Sequence, residues 1–369
     1  MELINMASGA AYFQTAEIVQ QAAINAIKQG FTSYGPTEGL LVLREAIAQR
    51  YQEVNKVKIS PDKILITTGV KQALFNLFRT VLKPGDEVIA PEANWFGFHE
   101  LIGEVQAKLV ILPTSPDDEY TIHPEVLAQA ITSKTRLFIL CNPGNPTSRI
   151  YSEADIENLL SVLNQHPQVI ILSDEIYDFV AFTSRVPSLL EFNDEIDRFA
   201  VVNGFSKSFA MSGWRIGYLI VPERYYQTCY KFQENTISGV SPFIQIAAAV
   251  ALQNYQSILE PMHIILVQNR NYICSKLQEI GNISFNEPQA TYYVFADLSF
   301  YLQKKTTEGK YLESSIALCQ YLKAEYALEL LAGDYFGAPG FARISFALEP
   351  KQLKEALERL QTGLHALHE

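Results

Sequence analysis

An α/β protein is what this sequence predicts: a large unit on a mainly parallel seven-stranded sheet flanked by helices, plus a smaller α+β unit built from both chain ends. Three observations carry that expectation. Short, apolar, β-branched runs recur through the first two-thirds of the chain; helix-like stretches separate them; and the rhythm changes after about residue 258.

The runs lie at 64–67, 87–90, 109–112, 137–141, 169–172, 199–202 and 216–221. Most are apolar throughout rather than alternating, the pattern of strands buried on both faces. Stretches 39–51, 72–82, 124–131 and 153–164 read as helices between them, and such alternation favours parallel pairing. Lys83-Pro84-Gly85-Asp86 is a turn placed where a helix must hand over to a strand. Beyond 258, a long helical pattern at 262–280 precedes short runs at 283–285, 292–297, 328–331 and 342–347, with helices at 313–325 and 350–365. The expected division is a large unit over 30–258 and a small one from 1–29 and 259–369.

Composition narrows the function classes. Forty acidic against 29 basic residues give a net charge of −11, no electrostatic basis for binding nucleic acid or an anionic membrane. No apolar run approaches the roughly 20 residues of a membrane span, and the start Met-Glu-Leu-Ile-Asn has neither the basic nor the apolar part of a signal peptide. A cytoplasmic location is expected. Cys141, Cys229, Cys274 and Cys319 stand apart without a CxxC pair, and the six histidines are scattered, so neither a disulfide framework nor a metal site is suggested.

Four strand-end segments carry chemistry. In Asn203-Gly204-Phe205-Ser206-Lys207-Ser208, a lysine follows a buried strand in a small-residue turn, with Arg215 eight positions on. Read alone, Lys207 is a loop lysine in water; a partly desolvated amine in such a turn is also a nucleophile. Asp174, in Ser173-Asp174-Glu175-Ile176-Tyr177, ends another strand. It is either a helix N-cap or a carboxylate that keeps a heteroaromatic nitrogen protonated. Asn145, in Asn142-Pro143-Gly144-Asn145-Pro146-Thr147, is held between two prolines, which in general mark only a turn. Thr67-Thr68-Gly69-Val70-Lys71-Gln72 runs from strand end into helix, where free N–H groups make a phosphate cradle.

Together these blocks resemble the fold-type-I pyridoxal-phosphate-dependent aminotransferases of class I/II, and within them the bacterial-type aspartate and aromatic enzymes. The resemblance implies that Lys207 forms the Schiff base with the cofactor and later shuttles the proton. It implies that Asp174 pairs with the pyridine nitrogen, that Tyr177 and Asn145 hydrogen-bond the phenolic oxygen, and that Trp95 stacks on the ring. Gly69, Val70 and Lys71 match the phosphate turn, with Ser206 and Arg215 beside it. Arg343, in Phe341-Ala342-Arg343-Ile344-Ser345, matches the clamp for the substrate α-carboxylate, which a guanidinium fork fits bidentately. Read from its own surroundings, it is a surface arginine on a strand edge. Gly9 matches a small residue near that carboxylate. Tyr34 matches a tyrosine reaching the phosphate of a neighbouring subunit, which implies a homodimer with shared active sites.

Three positions depart from the family pattern. Residues 8–13 stand where Gly-Glu-Pro-Asp-Phe is frequent, Gly204 where some subgroups have serine, and Asn94 where tyrosine is common. Lys71 resembles a lysine that binds a distal substrate carboxylate, so an acidic amino acid with a 2-oxo acid, or a broad range, is expected. Tyr12, Phe13, Phe96 and Phe98 keep aromatic or methionine substrates open. A lyase, cyclase or amino-acid oxidase on the same fold shares the cofactor residues, and the effector domain of a regulator shares the fold.

Overall fold

The computed structural model describes residues 1–369. The chain opens with the short strand β1 (Ile4–Asn5) and helices α1 (Glu17–Lys28) and α2 (Leu41–Val54). There follow β2 (Ile64–Thr67), α3 (Val70–Val81), β3 (Glu87–Pro91), α4 (Gly97–Glu104), β4 (Lys108–Leu112), α5 (Pro124–Ala130) and β5 (Thr135–Cys141). Next come α6 (Glu153–Leu163), β6 (Ile170–Asp174), β7 (Phe199–Gly204) and β8 (Gly217–Ile220). Helices α7 (Glu223–Ile237), α8 (Pro242–Gln253) and α9 (Tyr255–Ile280) lead to β9 (Ser284–Phe285), β10 (Tyr293–Asp297), α10 (Ser315–Tyr326), β11 (Leu328–Glu329), β12 (Leu331–Ala332), β13 (Phe341–Ser345) and α11 (Pro350–His365). No helix is long and apolar enough to cross a membrane.

The expected sheet is present, in the order β2-β8-β7-β6-β5-β3-β4. Only β8 runs antiparallel to its neighbours. Alternate residues of one strand enter different cores: Phe138 and Leu140 pack on one face, Leu137 and Ile139 on the other, all buried. That is why the strands read as unbroken apolar runs. The parallel strands β2, β5, β6 and β7 end on the same side, so the four chemistry-bearing segments share one sheet edge.

The remaining strands form a four-stranded antiparallel sheet, β12-β13-β10-β9, and a parallel pair, β1-β11. The run expected at 328–331 is therefore two strands in two sheets. Ile4 pairs with Leu328 and brings the N-terminus onto the C-terminal part, with α9, α10 and α11 around a shared apolar core.

Helices α1, α4, α7 and α8 escaped the sequence reading. In α8, Ala247, Ala248, Ala249 and Ala251 are all buried, so the helix has no polar face to give a period. Helix α1, in the stretch 1–29, packs on α8, and its Val19 and Ala23 share a core with the sheet strands.

Candidate active site

The strand-end loops converge on a cavity of about 460 Å³. Of the residues singled out in the sequence, Gly9, Val70, Lys71, Trp95, Asn145, Asp174, Tyr177, Ser206, Lys207, Arg215 and Arg343 line it. Gly69 is not among the lining residues but lies directly against Arg215, which is. Tyr34 lies apart: it is 94% exposed and lines a separate groove with Gly35, Gly239 and Pro242.

One end of the cavity is built to hold an anion. Gly69 precedes α3 with φ +80°, a conformation that disfavours a side chain, and a Cβ there would lie 2.7 Å from the Arg215 guanidinium. No side chain caps α3, so its leading N–H groups are free to take an anion at the positive helix end. Arg215 is itself left-handed, φ 55°, with Nη1 donating to Ser212 O at 2.9 Å. Its other nitrogen, Nη2, is the one that lies against Gly69.

Asp174 lines the cavity and is 7% exposed. Its carboxylate accepts the Ile176 N–H at 3.2 Å, but the residues that follow form a turn rather than an α-helix, so it caps no helix. Burial pushes its pKa up to about 7, against that hydrogen bond and the nearby Lys207. The carboxylate makes no ion pair with a protein cation, Lys207 included, and a protonated ring nitrogen would supply one. Close by, the Tyr177 and Tyr293 hydroxyls are 2.7 Å apart; burial first, then Tyr293 and Tyr292, raise the Tyr177 pKa well above that of an ordinary phenol. Tyr177 therefore remains a hydroxyl donor.

The Lys207 amine donates to Gly9 O at 2.5 Å and lies 5.9 Å from the Tyr177 ring centroid. Arg343 is 4% exposed and belongs to β13, which pairs on both sides with β10 and β12, so it is no edge residue. Its Nη1 donates to Asn145 Oδ1 at 3.0 Å and its Nη2 to Ala7 O at 2.8 Å, with the guanidinium 4.2 Å from the Tyr293 ring centroid. Because Asn145 Oδ1 is engaged there, its amide N–H₂ is left for an acceptor in the cavity. Trp95 stands edge-on to Phe98 at 5.3 Å, with Lys71 Nζ 5.3 Å from its ring centroid.

These groups fit pyridoxal phosphate: an anion cradle, a buried carboxylate for the ring nitrogen, hydroxyl and amide donors for the phenolic oxygen, and a primary amine. Sequence reasoning missed Tyr292 and Tyr293. Their strand was legible as the run 292–297, but adjacent tyrosines at a strand start read as core, and both are fully buried.

The Asp174 environment makes a pH prediction. A carboxyl whose pKa is raised on folding contributes stability that is present below its unfolded pKa and lost as pH rises through its folded value. The cofactor-free protein should therefore lose stability toward pH about 7. The Asp174→Asn protein should lose less, by up to about 1.4 kcal/mol per pH unit across that window. Denaturant unfolding of both cofactor-free proteins from pH 5 to 8 measures this, and parallel declines would refute it.

Comparison with known proteins agrees with this geometry. The model of the family described as "Aminotransferase class I and II" matches residues 1–360. The chain is 35% identical to the bifunctional aspartate aminotransferase and glutamate/aspartate-prephenate aminotransferase of Petunia hybrida, over 98% of this chain and 76% of that one. It is 30% identical to the probable aspartate/prephenate aminotransferase of Aquifex aeolicus, over 100% of this chain and 92% of that one. Among solved structures, the aspartate aminotransferase from Rhizobium meliloti matches with a TM-score of 0.95 at 33% identity, over 100% of this chain and 92% of that one. An aromatic aminotransferase from Pyrococcus horikoshii matches with a TM-score of 0.91 at 30% identity, over 98% and 95% of the two chains. With a cavity of this chemistry and a family match across nearly its whole length, the chain belongs to the class I and II aminotransferases, enzymes that depend on pyridoxal phosphate.

Proposed function

We propose that this aminotransferase moves the amino group of an acidic L-amino acid, aspartate or glutamate, to a 2-oxo acid such as a prephenate-like acceptor, in a ping-pong reaction. The observation that carries the acidic preference is a pair of cations lining one cavity, Arg343 for the α-carboxylate and Lys71 for a distal one. The names of the Petunia and Aquifex relatives point the same way.

Pyridoxal phosphate supplies a carbonyl carbon for the amine and a ring that withdraws electrons from Cα. The chain's own residues do the rest. Arg343 and Asn145 orient the substrate carboxylate, with Gly9 leaving room beside them. Lys207 Nζ is the base for the Cα proton and then the acid that returns it. Asp174 keeps a proton on the ring nitrogen, Tyr177 and Asn145 donate to the phenolic oxygen, and Trp95 packs on the ring face. Gly69, Val70, Ser206 and Arg215 hold the phosphate end, where Lys71 contributes its backbone N–H in the first turn of α3 and leaves its ammonium for the substrate.

A homodimer is part of the same proposal. Tyr34 is too exposed to serve its own subunit's cavity, and Ile18, Ile24, Ile27 and Phe31 give the nearby surface an apolar character suited to a second copy. The reading divides the chain into a large unit of 30–258, extended by α1, and a small unit from the chain ends. It places the enzyme in the cytoplasm, where its four free cysteines stay reduced.

The test is a panel of amino and 2-oxo acids followed by cofactor absorbance and by ammonia and peroxide assays. Reversible half-reactions without ammonia or peroxide establish transamination; a lyase or oxidase gives the converse. The Lys71→Ala enzyme should lose about 10- to 100-fold in kcat/KM for aspartate, a charge-assisted hydrogen bond's worth, while phenylalanine changes little. Equal losses for both would leave Lys71 a phosphate residue only. The aromatic alternative rests on Trp95, Phe96 and Leu331 in the cavity lining, and a panel led by phenylalanine or tyrosine would favour it.

A further inference from the structure

The N-terminal segment is wired to the cavity through three backbone carbonyls within four residues. Met6 O accepts Ser345 N–H at 2.8 Å, Ala7 O accepts Arg343 Nη2 at 2.8 Å, and Gly9 O accepts Lys207 Nζ at 2.5 Å. A short strap thus touches both the substrate clamp and the reacting amine. Gly9 O has a second donor, the Tyr292 hydroxyl, at 2.8 Å.

The two donors on Gly9 O differ in one respect. Lys207 has to leave, because its amine must bond to the cofactor and later meet the Cα proton. Tyr292 takes part in none of this. Its ring is fully buried and edge-packed on Tyr177 and Tyr293, so its hydroxyl is fixed in direction. Burial, then the neighbouring Tyr293, also raises its pKa well above the ordinary phenol value, and it stays a donor at any working pH. Gly9 is half-buried at the cavity wall, and a carbonyl that loses its last protein donor gives up the net worth of that hydrogen bond; with Tyr292 in place Lys207 can depart without releasing the strap.

We propose that Tyr292 is a positioning residue: its hydroxyl holds the Gly9 carbonyl, and through the 7–9 strap keeps Arg343 and Lys207 in register while Lys207 is engaged elsewhere. The proposal rests on Arg343 being the carboxylate clamp, a reading tested separately by substituting Arg343 itself.

The test is Tyr292→Phe, which removes one oxygen and keeps the buried ring. Hydrogen exchange is measured on the full-length protein with and without pyridoxal phosphate, alongside steady-state kinetics. Amides of residues 7–13 should exchange about five-fold faster, the equivalent of one ordinary hydrogen bond, and α6, remote from the strap, should not change. The gain should be larger with cofactor present, when Lys207 has left Gly9. KM for amino and oxo acid should rise about five-fold in parallel, with kcat within two-fold. Unchanged exchange over 7–13 overturns the proposal, as does faster exchange throughout the molecule, which marks general destabilisation. Faster local exchange with KM unchanged also overturns it, because the strap then does not reach the clamp. If Arg343 is not the clamp, its own substitution leaves KM intact, a result independent of the exchange data.

Discussion

Lys207→Ala is expected to reduce transamination at least about 10³- to 10⁴-fold, the range set by losing a positioned general base together with a covalent anchor. The amine is placed for both roles. It projects from the turn after β7 into the cavity, on the side of Asp174 and Tyr177, and its hydrogen-bond acceptor in the structure is a carbonyl that Tyr292 also satisfies. Nothing else lining the cavity is a primary amine except Lys71, whose Nζ lies against Trp95. Borohydride should fix the cofactor covalently to the wild-type chain at Lys207 and leave the variant unlabelled. The fold should survive, since an alanine removes no buried apolar packing there. Near-wild-type turnover, or labelling at Lys71, would remove Lys207 from the chemistry. Partial rescue of the variant by added small primary amines would separate a lost base from a collapsed cavity.

The large sheet was legible because its strands are buried on both faces, and continuous apolar runs such as 137–141 or 169–172 have no competing helical period. The site was legible for a related reason. Gly69, Asn145, Asp174 and Lys207 all lie at strand ends, so a one-dimensional order of strands already places them on one edge. What stayed hidden depends on packing between distant segments. Helix α8 carries no polar stripe because α1 and α2 cover it from the side a surface helix would leave wet. The run 328–331 divides between β11 and β12 because its first two residues find β1, over 300 positions away in sequence, and its last finds β13. Tyr292 and Tyr293 gain their roles only from what their hydroxyls meet, Gly9 O and Tyr177, and no local pattern records either partner.

Arg343→Lys should lower kcat/KM by roughly 10²- to 10³-fold for every amino and oxo acid, the cost of losing a buried charge-assisted pair, chiefly through KM. Charge is conserved in this substitution and geometry is not. The guanidinium here spreads its donors over Asn145 Oδ1, Ala7 O and the open cavity at once, while stacked over the Tyr293 ring. Its buried Nε has no partner in the protein, and the fork can offer Nη–H groups to a carboxylate only because the other directions are already fixed. An ammonium has three rotating donors and no plane to stack, so it can reach one of these acceptors but not hold the set. Cofactor affinity should stay near wild type, because Arg343 is not among the residues proposed to hold the phosphate or the ring and reaches the cofactor only through Asn145, whose Oδ1 it binds. A variant that binds pyridoxal phosphate normally and still transaminates with an unaltered KM would show that the α-carboxylate is held elsewhere. The acidic-substrate reading would then lose one of its two cations, and Lys71 alone would have to account for it.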